Sequence, residues 1–203
     1  MADQHALRRR LRQLRQAISE QTRSEATSRA LDRIARHPAF RRAKRVAAYV
    51  GSKGELDPMP LLRTAARKGK RCFLPVLHPF LSGRLWFCQW QPGDRLVRNR
   101  FDIPEPGLRR CRHHSARQLD LVIVPLLGFD DQCHRLGMGG GYYDRSFAFV
   151  RRLRHVRRPY LLGLALELQR VDRIQINAWD VPLDAVVTER SIYSVNKESR
   201  TLS

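Results

Sequence analysis

Residues 120–145 read DLVIVPLLGFDDQCHRLGMGGGYYDR, and their order sets the class of fold. Leu121–Pro125 is an unbroken apolar run behind Asp120. That is the pattern of a strand buried on both faces, since a half-solvated strand would alternate. Gly137, Gly139, Gly140 and Gly141 then punctuate the chain, and residues 142–153 read as a helix. A buried strand, a glycine turn and a helix in succession form the repeating unit of an α/β layered domain.

The rest of the domain reads outward from this unit. Toward the N-terminus, Leu7, Leu11, Leu14 and Ile18 recur at helical spacing in a basic segment. They predict an amphipathic helix whose polar face carries Arg9, Arg10, Arg12 and Arg15. Ser19 or Thr22 suits the cap of a second helix carrying Ala26, Ala30, Leu31 and Ile34, which Pro38 stops. Residues 46–51 read as a buried strand. Asp57 and Pro58 fit the N-cap and first turn of a third helix, and Gly69 fits its exit. Residues 72–77 and 85–90 read as strands, and Pro and Gly mark a long loop over 91–107. Residues 160–165 and 185–188 supply the last strands, and a polar, frayed tail runs from Asn196. The alternation predicts one α/β domain over residues 1–195, with N-terminal helices within 6–37 and a mostly parallel sheet.

The chain has 203 residues, enough for one domain with a substantial core, and 42% of them are hydrophobic. Its 39 Lys and Arg against 19 Asp and Glu give a formal charge of +20. That excess favours anionic partners, yet it is mostly arginine and fits compositional bias equally well. Cys72, Cys88, Cys111 and Cys133 lie far apart with no C-x-x-C pair. Zinc-ribbon and thioredoxin-type chemistry is thereby excluded, and free thiols are expected. The N-terminus lacks the apolar stretch of a signal peptide. The longest apolar run, 121–129, is interrupted by Pro125 and Gly128 and is too short to span a membrane. A soluble, cytoplasmic protein is expected.

The glycines let the backbone turn sharply and bring amide N–H groups close to an anion, and a following helix adds its positive end. The pattern is not G-x-x-x-x-G-K-[ST], and Tyr142 stands where the dinucleotide fingerprint has its third glycine. The plain alternative is a flexible turn between strand and helix. Asp144 suits either a partner for the helix dipole or a Mg2+ ligand beside phosphates. Asp180 and Asp184 form a second acidic cluster, with turn formation before Pro182 as the alternative. No nucleophile stands out, because Cys133 and Ser146 have no base at motif spacing. The seven histidines form no H-E-x-x-H, and the adjacent His113 and His114 read as solvated surface.

Further motifs accompany the loop RLGMGGGYYDR (135–145) and the VPLLGFD (124–130) before it. They are YVGSKGELD (49–57), GKRCFLPVLHP (69–79), IPEPG (103–107) and WDVPLD (179–184). In this order and spacing the chain resembles the 5-formyltetrahydrofolate cyclo-ligase family from about residue 7 to residue 188. The resemblance implies a three-layer α/β/α sandwich. It implies an ATP site made by Gln4, Arg8, Arg135, Leu136, Gly137, Met138, Gly139, Gly140, Gly141, Tyr142 and Tyr143. Residues 138–142 are also implied to border a reduced folate, with Glu55 taking the donor-rich pterin ring, Val50 lining its pocket and Phe101 covering it. Asp144 and Asp180 are the implied Mg2+ ligands, with Asp184 the alternative to Asp180. The sequence departs from the family at Gln4, where a Lys or Arg is usual, and Arg9 or Arg12 is the available replacement. Some members carry a basic residue inside the glycine loop. Here that charge falls to Arg135 or Arg145, with Arg145 the catalytic candidate.

The implied reaction is the ATP- and Mg2+-dependent cyclisation of 5-formyltetrahydrofolate, polyglutamylated or not, by a monomer with no membrane or specific nucleic-acid partner. Two other classes compete. A basic nucleic-acid-binding protein is motivated by the charge, but RNP1, KH and zinc-finger patterns are absent from the sequence. An ATP-binding relative without folate chemistry has Glu55, Asp144 and Asp180 against it.

Overall fold

The computed structural model describes residues 2–52, 54–107, 111–151 and 159–195. Two helices open the chain, α1 (Ala2–Gln16) and α2 (Glu20–Arg36). Ser19 caps α2, its hydroxyl accepting the Thr22 N–H at 3.1 Å. His37 closes α2 and caps α3 (Pro38–Arg42) through its Nδ1, so Pro38 ends one helix and starts the next. Strand β1 (Arg45–Ala47) leads by a loop to α4 (Met59–Arg67). There Asp57 Oδ1 accepts the Met59 N–H at 3.2 Å, and Gly69, at φ +79°, turns the chain out. Next come β2 (Arg71–Leu77), β3 (Leu85–Trp90), the short hairpin of β4 (Leu96–Arg98) with β5 (Pro104–Pro106), and β6 (His113–His114). The second half holds β7 (Leu121–Pro125), a second hairpin of β8 (Gly128–Phe129) with β9 (Arg135–Leu136), and α5 (Tyr142–Phe147). Strands β10 (Tyr160–Leu164), β11 (Ala185–Val187) and β12 (Ile192–Ser194) complete it.

The main sheet has the order β12-β11-β10-β7-β1-β2-β3-β6. Its five adjoining strands from β11 to β2 are parallel, and β12, β3 and β6 each run antiparallel to the neighbour inside them. The apolar run of β7 explains the layering. Leu121 and Ile123 pack with Ile34, Phe40 and Leu62 of α2, α3 and α4, while Val122 and Val124 pack with Phe147 and Val150 on the opposite face. Both faces of the sheet are therefore covered, giving a mostly parallel α/β fold in three layers.

Several expectations change. The register of β1 with β2 ends at Ala47, with one further bond from the Ala48 N–H to the Phe73 carbonyl at 3.1 Å, and the chain then turns into a loop, so β1 is shorter than 46–51. The span 91–107 is not only loop but carries the β4–β5 hairpin. Helix α5 stops at Phe147 and continues as one 3-10 turn over Ala148–Arg151, shorter than 142–153. Residues 152–153 and the expected tail from Asn196 lie outside the described residues. His113 and His114 are not loose surface. They form a strand on β3 rather than a loop, with His113 exposed as expected and stacked on Trp86 at 4.3 Å, and His114 half-buried and edge-on to Phe73 at 4.8 Å. Cys88 and Cys111, expected as free thiols, form a disulfide with Cα atoms 5.3 Å apart. The β3–β6 register sets Cys88 opposite His113 and so delivers Cys111, a proximity that sequence spacing does not carry.

The first helix differs most. Leu7 and Leu11 dock on Leu127, Leu136 and Ile174, but Leu14 is 42% exposed. Arg15 is 1% exposed, four residues after Leu11 on the same inward face, and is not part of the arginine face.

Candidate functional site

A cleft of about 420 Å³ opens at the carboxyl ends of β1, β2 and β7, lined there by Tyr49, Val50, Pro75, Leu77 and Pro125. The chain moves from β1 to β2 on one side and later returns to β7 on the other. The cleft thus lies at the reversal of strand order, where open α/β sheets hold ligands.

One wall is the loop after β1. Tyr49 Oη donates to the Leu56 carbonyl at 2.6 Å, and Asp57 Oδ1 accepts the Gly51 N–H at 3.2 Å, which brings 49–51 back against 56–57. A Cβ on Gly51 would stand 2.9 Å from the Asp57 Cα, so the close approach needs glycine. The turn presents Glu55 to the cleft. Its Oε2 accepts from the Ser52 N–H and hydroxyl at 3.1 and 3.3 Å, and its Oε1 faces Arg15 Nη1 at 3.4 Å. Burial raises the carboxyl's pKa more than Arg15 and the Ser52 hydrogen bonds lower it. Arg15 also lines the cleft. Sequence reasoning placed it in solvent, and the one available signal was its i+4 spacing from Leu11.

The opposite wall is the glycine loop. Gly137, Met138, Gly140, Gly141, Tyr142 and Tyr143 line the cleft with Arg135 and Asp144. Gly139 at φ +101° and Gly141 at φ +63° hold left-handed conformations that side chains oppose. Gly141 is the N-cap of α5, and Asp144 falls within its first turn rather than capping it. Six residues give α5 only a small dipole, so Arg135 is the clearer positive group on this wall of the cleft. Arg135 binds Asp144 Oδ1 at 2.6 Å and the Val181 carbonyl at 2.6 Å, and the Val181 N–H returns to Asp144 Oδ1 at 3.0 Å. Burial and the Glu55 charge raise the Tyr143 phenol's pKa well above its ordinary value.

The remaining expected residues surround this wall. Arg8 Nε donates to the Gly137 carbonyl at 3.1 Å and its Nη2 to Gln4 Oε1 at 3.2 Å, while Gln4 Nε2 reaches the Gln175 carbonyl at 2.9 Å. The Leu136 side chain is buried in the core under α1, so only its main chain could meet a ligand. Arg145 binds the Gly83 carbonyl at 2.9 Å and the Gly140 carbonyl, tying the back of the glycine loop to the turn before β3. Asp180 Oδ2 accepts from the Asn177 N–H at 2.7 Å, next to the Val181 link to Asp144. Asp184 is elsewhere: its carboxylate accepts the Leu161 N–H at 2.9 Å, at the amino end of β10 and away from the cleft mouth. Val50 and Phe101 line the cleft as expected. Asn99 and Glu105 line it too and were not singled out in the sequence. The candidate nucleophiles are structural. Cys133 is buried, and the Ser146 hydroxyl accepts the Leu85 N–H at 2.8 Å and donates to the Tyr142 carbonyl at 2.7 Å.

Residues 1–189 match the 5-formyltetrahydrofolate cyclo-ligase family. The 5-formyltetrahydrofolate cyclo-ligase of Escherichia coli K12 is 38% identical over 183 residues, covering 90% of this chain and 98% of that protein. Its counterpart in Mus musculus is 27% identical, covering 91% and 93%. The solved 5,10-methenyltetrahydrofolate synthetase of Aquifex aeolicus superposes with a TM-score of 0.80 at 28% identity, covering 96% of this chain and 93% of that one. Fold and matched length agree, and the chain belongs to the 5-formyltetrahydrofolate cyclo-ligase family.

Proposed function

We propose that this enzyme converts 5-formyltetrahydrofolate and ATP to 5,10-methenyltetrahydrofolate, ADP and phosphate, as a cytoplasmic monomer. The observation that carries the reading is one cleft with two unlike walls. A buried acid suited to pterin N–H donors faces a glycine loop with a cation and a carboxylate suited to phosphates. In the reaction the formyl oxygen attacks the γ-phosphorus and ADP leaves. N10 then adds to the activated carbon and gives up its proton, and phosphate departs. The protein's part is alignment and charge neutralisation.

Glu55 accepts hydrogen bonds from the pterin ring, Val50 and Phe101 supply apolar walls, and residues 138–142 stand between the two substrates. The loop amides and Arg135 receive the phosphates, with Arg8 steadying the loop at Gly137. Arg145 contributes charge from behind the loop while fixing Gly140. Asp144 fits a Mg2+ ion: it lines the cleft, and both its hydrogen bonds fall on Oδ1. Among the described residues no group of three His, Cys, Asp or Glu side chains could hold a metal. Asp144 and Asp180 would be the protein carboxylates that hold the ion, since Mg2+ is commonly bound through one or two carboxylates together with substrate phosphates. When bound, the ion neutralises phosphate charge. Among the described residues no helix is long and apolar enough to cross a membrane.

The test is absorbance of the methenyl product in purified protein given 5-formyltetrahydrofolate, ATP and Mg2+. Product is expected only when nucleotide and metal are both present, with one ADP per turnover. Product formed without nucleotide would reject the reading.

A further inference from the structure

The β4–β5 hairpin is tied into the cleft wall by the side chains of Glu105 and Asn99. Glu105 is 8% exposed, and its Oε2 accepts both the Leu77 N–H at the end of β2 (3.1 Å) and Asn99 Nδ2 (2.9 Å). Asn99 turns its Oδ1 to the hairpin tip, where it accepts the Phe101 N–H at 2.9 Å and the Ile103 N–H at 3.2 Å. Its main chain closes the same turn, with Asn99 N–H bound to the Ile103 carbonyl and Asp102 N–H to the Asn99 carbonyl. At the tip, Phe101 meets Tyr142 edge-on at 5.8 Å and Arg100 donates to Tyr142 Oη at 2.7 Å. A continuous run of bonds therefore leads from the main sheet through Glu105 and Asn99 to Phe101, and Phe101 touches the first residue after the glycine loop.

Two strands of three residues make a ribbon that is marginal alone, so the tip needs such ties to hold one position. A nearly buried carboxylate needs donors somewhere. Here they are the one amide on β2 and the one side chain that together fix where the tip stands. We propose that Asn99 and Glu105 are positioning residues that hold Phe101 as the wall of the reduced-folate end of the cleft. This inference rests on the reading that the cleft takes a reduced folate.

The experiment compares full-length wild type with Asn99→Ala, Phe101→Ala, their double variant, Glu105→Gln and Glu105→Ala, using the methenyl assay and amide hydrogen exchange. Asn99→Ala should raise KM for 5-formyltetrahydrofolate roughly five- to tenfold, as expected for losing buried hydrogen bonds. KM for ATP should stay within about twofold, because ground-state binding of the other substrate is untouched. In the Phe101→Ala background the Asn99 change should add almost nothing, since both act through one ring. Glu105→Gln keeps an acceptor oxygen and should remain close to wild type, whereas Glu105→Ala should follow Asn99→Ala. Multiplying effects of Asn99→Ala and Phe101→Ala, a parallel rise in KM for ATP, or a collapse of kcat in Glu105→Gln would each overturn the proposal. Were wild type to form no methenyl product, the folate reading itself would fall. Exchange would still decide the positioning: Asn99→Ala should deprotect the Phe101 and Ile103 amides, and unchanged protection overturns it.

Discussion

Burial holds the Glu55 carboxyl above the ordinary glutamate pKa even with Arg15 beside it, so the folded chain binds that proton more tightly than the unfolded chain. Its contribution to stability is complete below about pH 4.3, the ordinary glutamate value, and is lost as pH rises through the folded pKa. Wild-type stability relative to Glu55→Gln should therefore fall with rising pH across that window in denaturant titrations; a flat difference would mean the pKa is not raised. In the methenyl assay the same substitution should raise KM for the reduced folate about ten- to a hundredfold, the loss of a charge-assisted hydrogen bond, and change KM for ATP little. Equal loss for both substrates would make Glu55 a structural acid. Asp144→Asn keeps a carbonyl oxygen for Arg135 and the Val181 N–H, so the fold should persist while turnover drops at ordinary Mg2+ and recovers in part at high Mg2+. Near-normal turnover at ordinary Mg2+ rejects the metal assignment. Glu55 and Asp144 were legible because each sits inside a contiguous motif. Arg15 was not: a helical pattern shows which positions face inward, but it does not show that an inward arginine will meet an acid from forty residues on.

Among the elements, β7 was the most legible, since a run apolar at every position can only be covered on both faces. Helix α2 followed from its cap Ser19 and α4 from its exit at Gly69, but α4 starts one residue later than expected: Pro58 is the N-cap, and Asp57 stands before it with its carboxylate on the Met59 N–H. The β4–β5 hairpin is not legible in the sequence because its strands are short and β5 has proline at both ends, composition that reads as loop. Helix α5 was overextended because nothing in the sequence marks the tightening to a 3-10 turn after Phe147. The contact between α1 and the glycine loop bears on nucleotide binding. Arg8 donates to the Gly137 carbonyl and so ties α1 to the glycine loop at that residue. Arg8→Gln should raise KM for ATP several-fold, by roughly the worth of one charge-assisted bond, with KM for folate nearly unchanged. A silent Arg8→Gln would remove α1 from the nucleotide site.

At the scale of the molecule, the charge of +20 is mostly independent of the cleft. Arg9, Arg10 and Arg12 are exposed on α1, whereas Arg15 is committed to Glu55. Arg10→Gln should weaken retention of DNA or RNA at low salt and leave turnover intact. Retention should vanish near physiological salt, because non-specific binding follows counterion release. Salt-resistant, saturable nucleic-acid binding would show that the charge serves a partner. The strand order carries a different consequence, for the time course of synthesis. Strand β1 lies in the middle of the sheet, yet its neighbour β7 is made some seventy-five residues after it. While the ribosome is still short of residue 121, β1 can pair only with β2, and its other edge stands open. The nascent chain therefore carries an unpaired, apolar strand edge while those seventy-five or so residues are made, the kind of edge that recruits other chains. Arrival of β7 closes that edge and, in the same step, brings Pro125 to the cleft.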